Sequence, residues 1–238
     1  MLWTSVSAFS QDVITDLSER QVDIRYSFDG ADLLLFGTVD LPHYVRGDSY
    51  DIAVVVQGPP EDINVREKEK ALIIWVNRDV HTYEDVPGFY MVASNKPLLD
   101  IATLGLLNED GVGYQSLTFE SEKHDDHADI FHAALIRGKE NKGLYLHDPQ
   151  GVTVVGGNLF RADIRLPANV PVGAFTVSTY IYVDGELITH RVMPLDVEKK
   201  GFEREVYSFA HEYPLYYGLI AVLIALCAGW VAGFFGRK

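Results

Sequence analysis

Twenty-one consecutive residues near the C-terminus, Leu215–Phe235, read LYYGLIAVLIALCAGWVAGFF and carry no charge. At about 1.5 Å per residue, a helix of this length rises roughly 30 Å, the thickness of a bilayer's hydrocarbon. A helix buried in a globular core would normally carry a polar stripe, and this run has none. The run therefore predicts a single transmembrane helix over 213–236. Tyr213, Tyr216 and Tyr217 stand at one end and Trp230 near the other, where interfacial aromatics belong. Pro214 suits the first position of a helix.

Charge predicts the orientation. Residues 237–238 are Arg and Lys, and the positive-inside rule assigns this tail to the cytoplasm. The whole chain has 34 Asp+Glu, 20 Lys+Arg and a net charge of −14. The acidic bulk is thereby assigned to the periplasmic side of an inner membrane. Such acidity argues against nucleic acid, whose phosphates require clustered Lys and Arg. Export needs an N-terminal signal. Residues 1–11, MLWTSVSAFSQ, lack a basic start, but Ala8-Phe9-Ser10 fits the small-x-small pattern of a cleavage site. They read as the remnant of a signal peptide, with a frayed terminus as the plainer alternative. The one cysteine, Cys227, falls inside the apolar run, so disulfides and Cys-rich zinc sites play no part.

Between these ends the chain reads as mainly β. β-branched or aromatic runs bounded by Gly, Pro, Asp or Asn occur at 22–28, 33–39, 52–57, 71–77 and 88–92. A second group occurs at 144–147, 152–155, 159–166, 175–183 and 187–197. Asp184-Gly185 signals a two-residue hairpin. Residues 97–140 have helical spacing, in Leu98, Ile101, Ala102 and Gly105 and again in Phe131, Ala134, Leu135 and Gly138. The fold expected is two immunoglobulin-like β-sandwich modules with intervening helices plus one C-terminal transmembrane helix. The first module covers 12–96, the helical connection 97–140 and the second module 141–209. A strand, Leu-Pro, short loop and strand recur around Leu41-Pro42 and Leu166-Pro167. That recurrence is expected from a duplicated module and also from chance among β proteins.

Several blocks in order carry a family resemblance: VRGDSYDIAVVVQGP, VREKEKALIIWVN, VPGFYMVASNKPL, NLFRADIRLPANVPVGAFTV and LDVEKKGFEREVYSFA, followed by the apolar run. From about Leu17 to Trp230 the chain resembles the family of alphaproteobacterial transmembrane proteins Alph_Pro_TM. The resemblance implies a cleaved signal, a periplasmic domain and one C-terminal span. Members are often encoded beside sulfite-exporter-like permeases of the TauE/SafE type, and the resemblance thereby implies an accessory role. No catalytic residues come with the resemblance.

The segment HDDHADIFH, 124–132, is the one cluster with metal-ligand chemistry, since imidazole and carboxylate suit zinc or copper. At about 100° per residue on a helix, His127 lies roughly 60° from His124 and His132 roughly 80° away on the other side. The plainer reading has these histidines extending the apolar stripe of Phe131, Ala134 and Leu135. In the apolar run, Ala221, Ala225, Gly229 and Gly233 recur every four residues, a face on which another helix can approach closely. The sign-alternating Arg66–Lys70 run reads as the solvated, pairing-averse start of a strand. Arg161 and Arg165 share one strand face and suit either an anion or ordinary ion pairs. A nucleophile elbow and a phosphate loop are both missing. The leading reading is a non-enzymatic, membrane-anchored module for a transporter, in which the helix meets a permease or a second copy of itself. The alternative is a periplasmic metal- or anion-binding protein using His124, His127 and His132. An unrecognised hydrolase has no residue-level support.

Overall fold

The computed structural model describes residues 13–24, 28–40, 50–71, 74–121, 128–199 and 209–235. Thirteen strands are described, and all but the last residues of β2 and β13 fall in the first of two units, which holds residues to 22 and 28–198. They are β1 Val13–Leu17, β2 Gln21–Ile24, β3 Gly30–Val39, β4 Tyr50–Gln57, β5 Pro60–Ala71, β6 Ile74–Pro87 and β7 Tyr90–Ser94. The series continues with β8 Glu120–Ser121, β9 Tyr145–Asp148, β10 Val152–Val155, β11 Leu159–Pro167, β12 Gly173–Val183 and β13 Glu186–Lys199. Helices α1 Leu98–Ile101, α2 Leu104–Glu109 and α3 Ala128–Asn141 lie between β7 and β9, as the spacing predicts. Helix α4, Pro214–Phe235, belongs to the second unit.

Sheet 1 has the order β1-β3-β11-β10, and sheet 2 the order β2-β13-β12-β4-β7-β9. Along β11 every second residue is buried, from Phe160 through Ala162 and Ile164 to Leu166, the signature of a strand with one face on a core. In β4 and β7 the buried residues run consecutively, so both faces are covered. One face of sheet 2 meets sheet 1, with β7 against β11 and β4 against β10. Asp184 and Gly185 adopt φ of 50° and 86° between β12 and β13, the left-handed pair that a two-residue hairpin demands.

The expected two modules are corrected to one interleaved unit. β3 hydrogen-bonds to β11, and β4 to β12, so each sheet draws on both halves of the chain. The shift that brings Leu41 onto Leu166 (166 − 41 = 125) also equates Phe36 with Arg161 and Val54 with Thr179. Those equated residues are register partners, Phe36 opposite Arg161 in sheet 1 and Val54 opposite Thr179 in sheet 2. The described strands that flank the two Leu-Pro pairs are thus antiparallel neighbours, β3 with β11 and β4 with β12. The physical reason for the correction is that the strands of each half leave open edges, and pairing with strands of the other half satisfies them.

The expected strand over 71–77 is also corrected, because β5 ends at Ala71 and β6 begins at Ile74. These are the arms of a long hairpin, and the Arg66–Lys70 run lies in its first strand. β8 joins it only at Tyr83 and Glu84. Helix α3 packs on the hairpin's base, with Phe131 and Leu135 against Tyr83 and Val86, flanked by Ile63, Val65 and Phe119.

The transmembrane helix expected over 213–236 is the third correction. Among the described residues no helix is long and apolar enough to cross a membrane. The apolar run does form a helix, α4.

Candidate functional site

The outer face of sheet 2 is built from tyrosines. In β7, β9 and β12 the residues on this face alternate with core residues, and register aligns Tyr90 with Tyr145 and Val92 with His147. Tyr180 and Tyr182 lie opposite Ala53 and Asp51 of β4. The rings of Tyr90 and Tyr145 are 5.9 Å apart, and Tyr114 stacks on Tyr145 at the same distance. Such offset aromatic pairs contribute beyond their buried area.

The segment 97–116, with α1, α2 and a 3-10 turn at Tyr114–Ser116, covers this face and is tied down by phenols. Tyr90 Oη accepts from the Gly113 N–H at 3.0 Å and donates towards the carbonyls of Gly111 and Gly113 at 3.2 and 3.3 Å. Gly113 has φ of +100°, a conformation that favours glycine. Tyr182 donates to Asp110 Oδ2 at 2.8 Å, and Tyr145 to the Pro87 carbonyl at 3.0 Å. Burial pushes the Tyr90 phenol up to about 12. It also raises Tyr114, Tyr145 and Tyr182, with further upward pushes from Glu140, Glu61 and the Asp110 hydrogen bond respectively. All four are neutral phenols at pH 7, suited to hydrogen bonding and not to proton abstraction.

Between the cover segment and the sheet lies a cavity of about 330 Å³. Leu98, Leu104, Leu107 and Val112 of the cover face Val92 of the sheet, while Tyr114, Gln115 and His147 supply its polar atoms. Among the described residues, its lining holds no Lys, Arg, Asp or Glu. The lining residues Leu99 and Leu104 and the neighbouring Leu106 are exposed at 70%, 46% and 37%.

The residues singled out by sequence lie elsewhere. His132 is on α3, where its Nε2 lies 2.9 Å from the Leu117 carbonyl and its ring 5.0 Å from that of Phe119. His124 and His127 lie outside the described residues. Among the described residues no three potential metal ligands group together. Ala221, Ala225 and Gly229 lie four apart on α4 and are exposed, as is Cys227. Gly233 is in the same helix, with its surroundings outside the described residues. Arg161 and Arg165 share the exposed face of β11, where Arg165 is the register partner of Asp32. Sequence reasoning missed the tyrosine face. Its signal was the spacing of two in Tyr180-Ile181-Tyr182, which puts both phenols on one side of a strand.

A family model described as "Putative transmembrane protein" (Alph_Pro_TM) matches residues 12–238. No curated protein matches the chain.

Proposed function

The chain belongs to the Alph_Pro_TM family, and from that premise we propose that it is a membrane-associated, non-enzymatic interaction module for a membrane transporter. The observation that carries the reading is the surface of α4. Every described side chain from Pro214 to Trp230 is exposed, including Leu215, Leu219, Val222, Ile224, Leu226 and Trp230. An apolar surface this continuous requires cover by lipid or by another protein. The small residues Ala221, Ala225 and Gly229 provide the side on which a partner helix can approach. The β-rich body then lies on the periplasmic side of the inner membrane. The resemblance to proteins encoded beside TauE/SafE-type permeases makes such a permease the favoured partner.

The test is a mild-detergent pull-down of the full-length chain from its native membranes, read by mass spectrometry. Recovery of a polytopic permease in stoichiometric amount is the expected result. Recovery of the chain alone, with the permease left in the unbound fraction, overturns the transporter reading.

A further inference from the structure

The cavity beneath the cover segment has no part in the reading above, which rests on α4. Its walls and its mouth are chemically unequal. Leu98, Leu107, Val112 and Val92 make the interior apolar, whereas Gln115 and His147 are exposed hydrogen-bonding groups beside it. At about 330 Å³ it lies near the lower end of the range for small-molecule sites. With no lysine, arginine or carboxylate among the described lining residues, an ion inside would lose its hydration without an opposite charge.

The cover is also fixed in place. Tyr90 holds Gly113, which lines the cavity, and Tyr182 holds Asp110 at the end of α2. A cavity so held is preformed and costs a ligand little ordering. Leu99 and Leu104 of the lining are themselves exposed, and the exposed Leu106 beside them adds to the apolar surface.

From these features we infer that the cavity is a binding site for a neutral amphipathic small molecule. Its aliphatic part lies among the leucines and valines. Its hydroxyl or carbonyl oxygen lies beside Gln115 and His147. This site is carried by sheet 2 and its cover, so it stands or falls independently of any partner at α4.

The probe is a diazirine-bearing octanol, photolysed with the full-length chain in detergent, with labelled peptides identified by mass spectrometry. The expected result is a label on the peptide holding Leu98–Gln115, competed by 1-octanol and not by octanoate. Leu104→Trp, which places a larger ring at a partly exposed lining position, lowers that label about tenfold or more. Leu106→Trp adds the same ring to a residue outside the lining and leaves the label unchanged. Two results overturn the inference. One is labelling confined to the α4 peptide. The other is labelling of Leu98–Gln115 that Leu104→Trp does not reduce, or that octanoate competes as well as octanol.

Discussion

Lys139 of α3 and Glu61 of β5 form an ion pair in which the lysine is 5% exposed and the carboxylate 46%. The same ammonium donates to the Gly88 carbonyl at 3.2 Å and lies 5.7 Å from the centre of the Tyr145 ring. Phe131, Leu135 and Lys139 are spaced four apart, so the pair ends the buried stripe that seats α3 on the hairpin base. Removing one partner of a fully buried pair typically costs about 3–5 kcal/mol. Water screens the half-exposed Glu61, which lowers the expectation for Glu61→Gln to about 1–2 kcal/mol. Lys139→Met keeps the aliphatic packing and leaves a carboxylate that water can solvate, so it should cost less. Urea denaturation followed by circular dichroism checks the order of the two. A larger loss for Lys139→Met would place the stabilisation in the ammonium's contacts with Gly88 and Tyr145.

Alkaline pH should loosen the cover segment. Tyr90 goes from 10.0, its ordinary value, to about 12 in the folded chain, with burial the main cause. Its contribution is complete below the unfolded value and is lost as pH rises through the folded one. Tyr114, Tyr145 and Tyr182 shift in the same direction. Stability should therefore be level with respect to these phenols below about pH 10 and fall steeply above it. A shift of this size corresponds to about 2–3 kcal/mol for Tyr90. Tyr90→Phe should make the alkaline limb shallower while lowering stability at neutral pH through its lost hydrogen bonds. Thermal melts across the alkaline range, with tyrosinate absorbance as a second signal, provide the measurement. An unchanged alkaline slope in Tyr90→Phe would remove Tyr90 from the account.

Gly37 of β3 marks the tightest approach in sheet 1. A Cβ there would stand 2.6 Å from the Ile14 carbonyl oxygen and 2.8 Å from a ring carbon of Phe160. Phe160 is fully buried and Ile14 O is main chain, so neither can yield cheaply. Gly37→Ala should cost about 1–3 kcal/mol through overpacking. The midpoint of thermal unfolding should fall by about 2–4 °C per kcal/mol in a chain of this size. A midpoint equal to that of the unaltered chain would show that β1 moves aside.

Local chemistry made most strands legible. The run expected at 159–166 corresponds to β11, Leu159–Pro167, because one face was apolar and the other was not. The Asp184-Gly185 turn was equally plain, because left-handed backbone restricts which residues can stand there. What a linear reading missed depends on distant partners. Nothing within β3 names β11 as its neighbour, so two groups of strands read as two modules. The β5–β6 hairpin was hidden for a different reason. Ala71 and Ile74 bracket the connection, and neither it nor its flanks hold the Gly, Pro, Asn or Asp that usually marks a turn. The cavity was the least visible feature. It exists where Leu98, Leu104 and Leu107 meet Val92, and each of those residues alone is ordinary core.

The partner face of α4 is tested at Gly229. A Cβ added there meets nothing within 4 Å among the described residues. A larger residue is therefore accommodated by the described packing of α4, and a loss of partner is read as an effect on what approaches the helix from outside. Leucine at that position would hold a partner helix away from the small side formed with Ala221 and Ala225. Gly229→Leu should abolish co-purification of the permease while leaving the yield and thermal midpoint of the chain unchanged. Leu223→Ile, at a position turned about 120° away around the helix, should leave co-purification intact. Undiminished recovery of the permease with Gly229→Leu would exclude this side of α4 as the contact. Equal losses in both variants would mean that the helix is held by general apolar burial, with no face preferred.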